Sequence, residues 1–193
     1  MSNPLRLTII CSSVREGRFG PTVAKWFTQQ AEQRRDLQVG FVDLLDFQLP
    51  HQLTGSPQPP ATEMLSILPP QLDEAEAFVV VTPEYNHSFP SSLKSLLDWQ
   101  RTPWQAKPVG FVSYGGLAGG LRAVEQLRPI FSELHAVTVR DVVSFHMAWD
   151  LFDENGDLKD PEGSSAAAKI LLDQLAWWGL ALREAREKRP YGG

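Results

Sequence analysis

The run Phe78-Val79-Val80-Val81-Thr82 is apolar or β-branched at every position, with no polar alternation. A strand of that kind needs cover on both faces, which a parallel sheet between two helical layers provides. Pro83 ends the run and a polar loop follows, Glu84-Tyr85-Asn86-His87-Ser88. Pro90 then opens a helix, where its missing N–H costs nothing, and Leu93, Leu96 and Leu97 recur near helical spacing.

Four more short apolar runs read as strands, at residues 5–11, 37–44, 108–114 and 137–145. Helical patterns lie between them. One starts at Pro21 with Val23, Ala24, Phe27 and Ala31 inward. A weaker one covers 64–73 and is expected to break or bend at Pro69-Pro70, after a loop rich in proline (Pro50, Pro57, Pro59, Pro60). A third covers 121–134, with Val124, Leu127, Ile130 or Phe131, and Leu134 inward. Residues 146–163 read as irregular and acidic. Ser164 or Ser165 is expected to cap a last helix reaching about residue 188, carrying Ile170, Leu171, Leu175, Trp178 and Leu182.

Strands alternating with helices predict an α/β fold with right-handed crossovers. Five strands in this length fit a doubly wound five-stranded parallel sheet, flavodoxin-like, in the order 2-1-3-4-5, with helices on both faces. At 193 residues and with no visible boundary, the chain reads as a single domain, 1–193. A net charge of −5 argues against nucleic acid or an anionic membrane as partner. Cys11 is the sole cysteine, which excludes an intrachain disulfide and suits a reducing compartment. The N-terminus lacks the pattern of a signal peptide, and no apolar run nears the roughly 18 residues of a membrane span. The expected location is cytoplasmic.

In that strand order three loops meet at the carboxyl edge of the sheet, where open α/β sheets bind ligands. The first, residues 12–20, carries hydroxyls at Ser12 and Ser13 and guanidiniums at Arg15 and Arg18, just before a helix N-terminus. That suits an anion, although the same composition also describes a solvated surface loop. The second is 83–89. The third is Gly115-Gly116-Leu117-Ala118-Gly119-Gly120, either a ligand edge approached by bare backbone or a simple turn. Neither the first nor the third loop matches a G-x-G-x-x-G dinucleotide fingerprint, and Leu121 stands where a Walker A loop needs lysine. An anion held by the first loop is therefore a single terminal phosphate. The histidines show no ligand spacing, so no metal is expected, and residues 153–158 fail as a calcium loop because Leu158 occupies the glycine position.

These motifs together resemble the NADPH-dependent FMN reductase family. Ser12-Ser13-Val14-Arg15 is similar to its G-S-x-R phosphate loop. Residues 83–99 are similar to its P-E-Y-N-x-S-x-P-x-x-L-K-N-x-x-D-W segment, and residues 107–116 to its K-P-V-x-x-V-S-Y-G-G. Ser12 departs from the family's glycine and Ser95 from its asparagine. The resemblance implies that Ser13, Arg15 and Arg18 bind the FMN phosphate. It implies that Pro83, Glu84, Tyr85 and Asn86 hold the ring, and that Ser113, Tyr114, Gly115 and Gly116 cover its other edge. The implied activity is NAD(P)H oxidation, with hydride passing to FMN and then to a quinone, flavin, azo or metal-oxyanion acceptor by a ping-pong mechanism. NADPH or NADH is the co-substrate, and no catalytic side chain is needed because the flavin carries the chemistry. The alternative on the same fold is a flavodoxin-type electron carrier or a non-enzymatic flavin-binding module. The implied assembly is a homodimer or homotetramer, and the surplus of tryptophans beyond one core suits a subunit interface.

Overall fold

The computed structural model describes residues 3–47, 49–56 and 61–192; Pro57, Pro59 and Pro60 lie outside them. In chain order the elements are β1 (Leu5–Cys11), α1 (Gly20–Glu32), β2 (Leu37–Asp43), α2 (Ala61–Asp73), β3 (Ala77–Pro83) and α3 (Ser91–Trp99). They continue with β4 (Pro108–Gly115), α4 (Leu121–Glu133), β5 (Val137–His146), α5 (Ala148–Leu151) and α6 (Glu162–Lys188). The strands form one parallel sheet in the order β2-β1-β3-β4-β5, as expected.

Every residue of β3 and β4 is buried, whereas the edge strands β2 and β5 mix buried with half-buried and exposed positions. One core, built on Val23, Phe27, Val79, Val112, Leu171 and Leu175, fills the space under α1 and α6. The other, built on Leu68, Phe78, Val80, Leu96, Trp104 and Phe131, lies under α2, α3 and α4. Successive β3 side chains feed opposite cores, which is why the run has no polar positions.

Three local expectations are corrected. α2 continues through Pro69-Pro70 without a break. Interior prolines cost about 3 kcal/mol or more, and the full burial of Leu68 and Leu72 on either side opposes that loss. α6 begins at Glu162 with Pro161 at its N-cap, and no serine caps it; the restricted φ of Pro161 and the acidic first turn start the helix instead. Its buried stripe is Ala168, Leu171, Leu172, Leu175, Ala176 and Gly179. Small residues there let the helix sit close to the sheet, so close that a Cβ at Gly179 would strike Leu5 Cδ2 at 2.5 Å. Ile170 and Trp178 fall beside this stripe and are exposed.

At the opposite edge from the three loops, Lys107 is buried, and its Nζ donates to the Leu72 and Asp73 carbonyls ending α2. Burial, with Arg186 adding to it, pushes this lysine down to about 8 from 10.5. Below pH 8 both folded and unfolded chains carry the proton, and the folded state bears the cost of the buried charge. Between 8 and 10.5 the folded state releases the proton while the unfolded chain retains it, so this group's contribution to stability rises with pH. Urea unfolding from pH 7.5 to 10 is expected to show the wild type gaining stability relative to Lys107→Met; parallel curves would refute the assignment.

Candidate functional site

Cys11 pairs with Val81, and Pro83 pairs with Tyr114. The loops after β1, β3 and β4 therefore leave the sheet side by side.

Ser12 starts the first loop. Its backbone N–H and its Oγ both donate to the Val81 carbonyl, at 3.0 and 2.9 Å, and its own carbonyl accepts from Ser92 Oγ at 2.5 Å. The side chain thus points into the sheet and away from the loop's open side. Ser12→Gly is expected to leave FMN affinity within about twofold and to lower stability by about 1–2 kcal/mol, through one lost hydrogen bond and a freer backbone. A flavin titration beside urea unfolding checks both, and a large affinity change would show that the hydroxyl serves the ligand.

From Val14 to Gly17 the backbone N–H groups donate to no backbone acceptor among the described residues, while the buried Ser13 N–H turns to the Cys11 sulfur. α1 follows at Gly20 with no side chain capping its first turn. Free amides and the positive end of a helix dipole thus share one loop, an arrangement that favours an anion. Arg15 is exposed, makes no ion pair among the described residues, and lies over the Tyr85 ring at 5.7 Å. Arg18 is engaged otherwise. Its guanidinium grips both Asp43 oxygens at 2.5 and 2.7 Å and the Ser13 carbonyl at 2.5 Å. It ties the first loop to the end of β2. Ser13 is fully buried, with its Oγ facing Cys11 Sγ at 4.0 Å. Burial, with the Asp43 charge second, pushes the Cys11 thiol up to about 11, so it stays protonated at neutral pH.

The second loop is a tight reversal. Tyr85 and Ser88 exchange backbone hydrogen bonds of 2.8 and 3.0 Å, and Asn86 and His87 between them both have positive φ, 49° and 72°. Two left-handed central residues define a type I′ turn, which non-glycine residues adopt rarely and asparagine most readily. Gln126 on α4 holds it, donating to the His87 carbonyl at 2.6 Å and accepting from Ser88 Oγ at 2.7 Å. Among the described residues the Asn86 amide side chain and the Asn86 and His87 N–H groups have no partner. Burial pushes the Tyr85 phenol up, and the Arg15 charge pulls it partly back. The Glu84 carboxylate is buried and paired with Arg122 at the start of α4, and its Oε2 has no hydrogen bond.

The third loop divides its glycines between two jobs. Gly119 and Gly120 have φ of +58° and +83°, and a Cβ at either would fall within 2.7 Å of Ser144, His146 or Ser113 atoms. The Gly119 carbonyl accepts from Ser113 Oγ and Ser144 Oγ at 2.8 and 2.9 Å. The protein's own packing demands these two. Gly115 and Gly116 have ordinary φ, and a Cβ would meet nothing nearer than 3.3 and 3.6 Å. Gly115 is buried, and a Cβ there would press on the Gly120 backbone nitrogen; Gly116 has no such neighbour, so its bare backbone is what is left for a flat ligand. The Tyr114 ring turns the other way. It is buried beneath the first loop against Phe19 at 6.2 Å, and its hydroxyl, near Gly20 and without a hydrogen-bond partner, is pushed up by burial.

Of the residues expected from the sequence, Arg15, Tyr85, Asn86 and Gly116 face the shared rim, and Gly115 is buried just behind it. Ser13, Arg18, Ser113, Tyr114 and the Glu84 side chain turn inward and hold the loops, and Pro83 ends the strand they leave. Sequence reasoning did not single out Asp43 or Gln126, and it named Gly119 and Gly120 only as part of the glycine turn. Only the doubled glycine pair carried a local signal.

The loop amides and Arg15 suit a terminal phosphate, and Asn86 with the open Gly116 suits a flat ring, so the residues fit FMN. The profile of the NADPH-dependent FMN reductase family matches residues 5–150. The chain is 33% identical over 148 residues to the quinone reductase of Escherichia coli, covering 72% of this chain and 76% of that relative. It is 33% identical over 122 residues to the NAD(P)H-dependent FMN reductase of Schizosaccharomyces pombe, where the match spans 60% of each. Among solved structures, the flavoenzyme NAD(P)H:(acceptor) oxidoreductase FerB from Paracoccus denitrificans superposes with a TM-score of 0.72 at 20% identity, covering 92% of this chain and 98% of that one. At that identity the superposition establishes the fold alone. No helix among the described residues is long and apolar enough to cross a membrane.

Proposed function

The chain belongs to the NADPH-dependent FMN reductase family, and on that premise we propose that it is an FMN-dependent NAD(P)H oxidoreductase that reduces a small-molecule acceptor by a ping-pong mechanism. The observation that carries this reading is the row of N–H groups from Val14 to Gly17 with no backbone acceptor among the described residues, opposite the exposed turn at Asn86-His87. Arg15 and the loop amides would hold the phosphate, and Arg18, through Asp43, keeps that loop in shape. The N–H groups of Asn86 and His87 and the Asn86 amide offer donors to the ring edge. Donors fixed in advance are worth most where negative charge develops. Gly116 lets the ring lie against the backbone. FMN, when bound, supplies the two-electron chemistry, which is why the site contains loops and amides rather than an acid–base pair.

The exposed indoles of Trp177 and Trp178 on α6 support assembly into a homodimer or homotetramer. Steady-state NADPH and NADH oxidation by purified, FMN-loaded protein tests the reading, with quinone, flavin and ferricyanide as acceptors. Turnover well above the free-flavin rate is expected. A protein that binds FMN without such turnover would be an electron carrier instead.

A further inference from the structure

Gly116 is left open by the protein except on one side, where the edge of Trp149 lies 3.6 Å from the position of an added Cβ. Trp149 is 54% exposed, and it has exposed apolar company: Leu117, 89% exposed at the tip of the glycine loop, and Met147, 43%. Isolated exposed apolar residues are ordinary, but three gathered on one rim are not. Their backbone is tied down. The Met147 N–H donates to the Gly116 carbonyl at 3.0 Å, His146 Nδ1 lies 2.9 Å from the Leu117 carbonyl, and Asp150 N–H closes back on Met147 at 2.9 Å. Ala148 between them is fully buried. Met147 itself is held at φ 47°, a conformation a β-carbon disfavours. The fold thus keeps a strained, rigid backbone to present these side chains beside the bare Gly116.

Resting on the function proposed above, we propose that Trp149, with Leu117 and Met147, forms the apolar wall that admits flat quinones to the ring site at Gly116, and that Trp149 sets acceptor specificity. The neighbouring cations point the same way. Arg122 is tied to Glu84, and Arg15, across the site on the first loop, is the cation assigned above to the phosphate. A metal oxyanion would need a free cation on this side, whereas a naphthoquinone needs only a flat apolar surface. The overall exchange balances as NAD(P)H plus a proton plus quinone giving NAD(P)⁺ plus hydroquinone. The nicotinamide hydride supplies both electrons and one proton of the product, and solvent supplies the other proton.

The test uses FMN-loaded protein with menadione, a methylated naphthoquinone, and ferricyanide. Trp149→Ala is expected to raise the KM for menadione about tenfold, the loss of one aromatic contact. Its FMN affinity and its kcat with ferricyanide should stay within about twofold of the parent, and Trp149→Phe should recover most of the menadione KM. An unchanged menadione KM in Trp149→Ala, with ferricyanide turnover intact, overturns this inference alone. So does a smaller assembly on size exclusion without a KM change, which would make Trp149 an interface residue. A wild type that turns over no acceptor overturns the proposed function, and this wall with it.

Discussion

Gly120→Ala is expected to destabilise the protein by about 2–5 kcal/mol and to abolish normal flavin loading. Two costs add. An alanine at φ +83° sits in the left-handed region, which costs about 1–2 kcal/mol. Its Cβ would also lie 2.7 Å from Ser113 Cβ, 2.8 Å from Tyr114 N and 3.0 Å from Tyr114 O. Those atoms belong to β4, which is buried along its whole length and paired on both sides, so they cannot retreat cheaply. Overpacking of this kind costs about 1–3 kcal/mol. Flavin loading should suffer as well, because Glu84 N–H is anchored to the Tyr114 carbonyl and the second loop would shift with it. Urea unfolding of the apo protein and a flavin titration measure the two effects. Gly163→Ala is the control: the residue lies in the first turn of α6 with nothing within 4 Å of an added Cβ, so it should be neutral or slightly stabilising. A Gly120→Ala protein as stable as its parent would contradict the loop geometry.

Arg15→Ala is expected to weaken FMN binding about 10–100-fold while leaving the fold intact. A charge-assisted hydrogen bond contributes about 1.5–3 kcal/mol net, and the exposed Arg15 side chain forms no ion pair among the described residues whose loss would destabilise the chain. The affinity of the variant should also depend less on ionic strength, since a charge has left the site. Arg18→Ala offers the contrast. It would strip Asp43 of its partner where both side chains are only 13–15% exposed, so stability should fall along with affinity. Titrating FMN by fluorescence quenching at two salt concentrations separates the two arginines. Equal stability loss in both variants, or unchanged affinity in Arg15→Ala, would reverse the roles assigned here.

Much of the site was legible because it rests on short contiguous motifs. The 83–86 segment, the paired arginines of the first loop and the glycine turn are local patterns, and the strand alternation placed them at one edge. Which way each side chain turns was not legible. Arg15 and Arg18 are three residues apart and chemically identical, yet Arg18 meets Asp43, twenty-five residues further on. The glycines show the same limit. Four look alike in G-G-L-A-G-G, but only Gly119 and Gly120 are forced by neighbours on β4 and β5. The family resemblance implies a ring contact for Tyr114, while the pleat sends its ring into the core beneath α1.

By itself the sequence determined the α/β class, the strand order and the three loops that share an edge, because hydrophobic period and chain reversal are written into neighbouring residues. Only the tertiary structure decided which of those loop residues face the rim, which glycines are structural, where α6 begins, and which tryptophans remain exposed. Those outcomes depend on contacts between segments far apart in the chain, and such contacts form only once the sheet has brought the segments together.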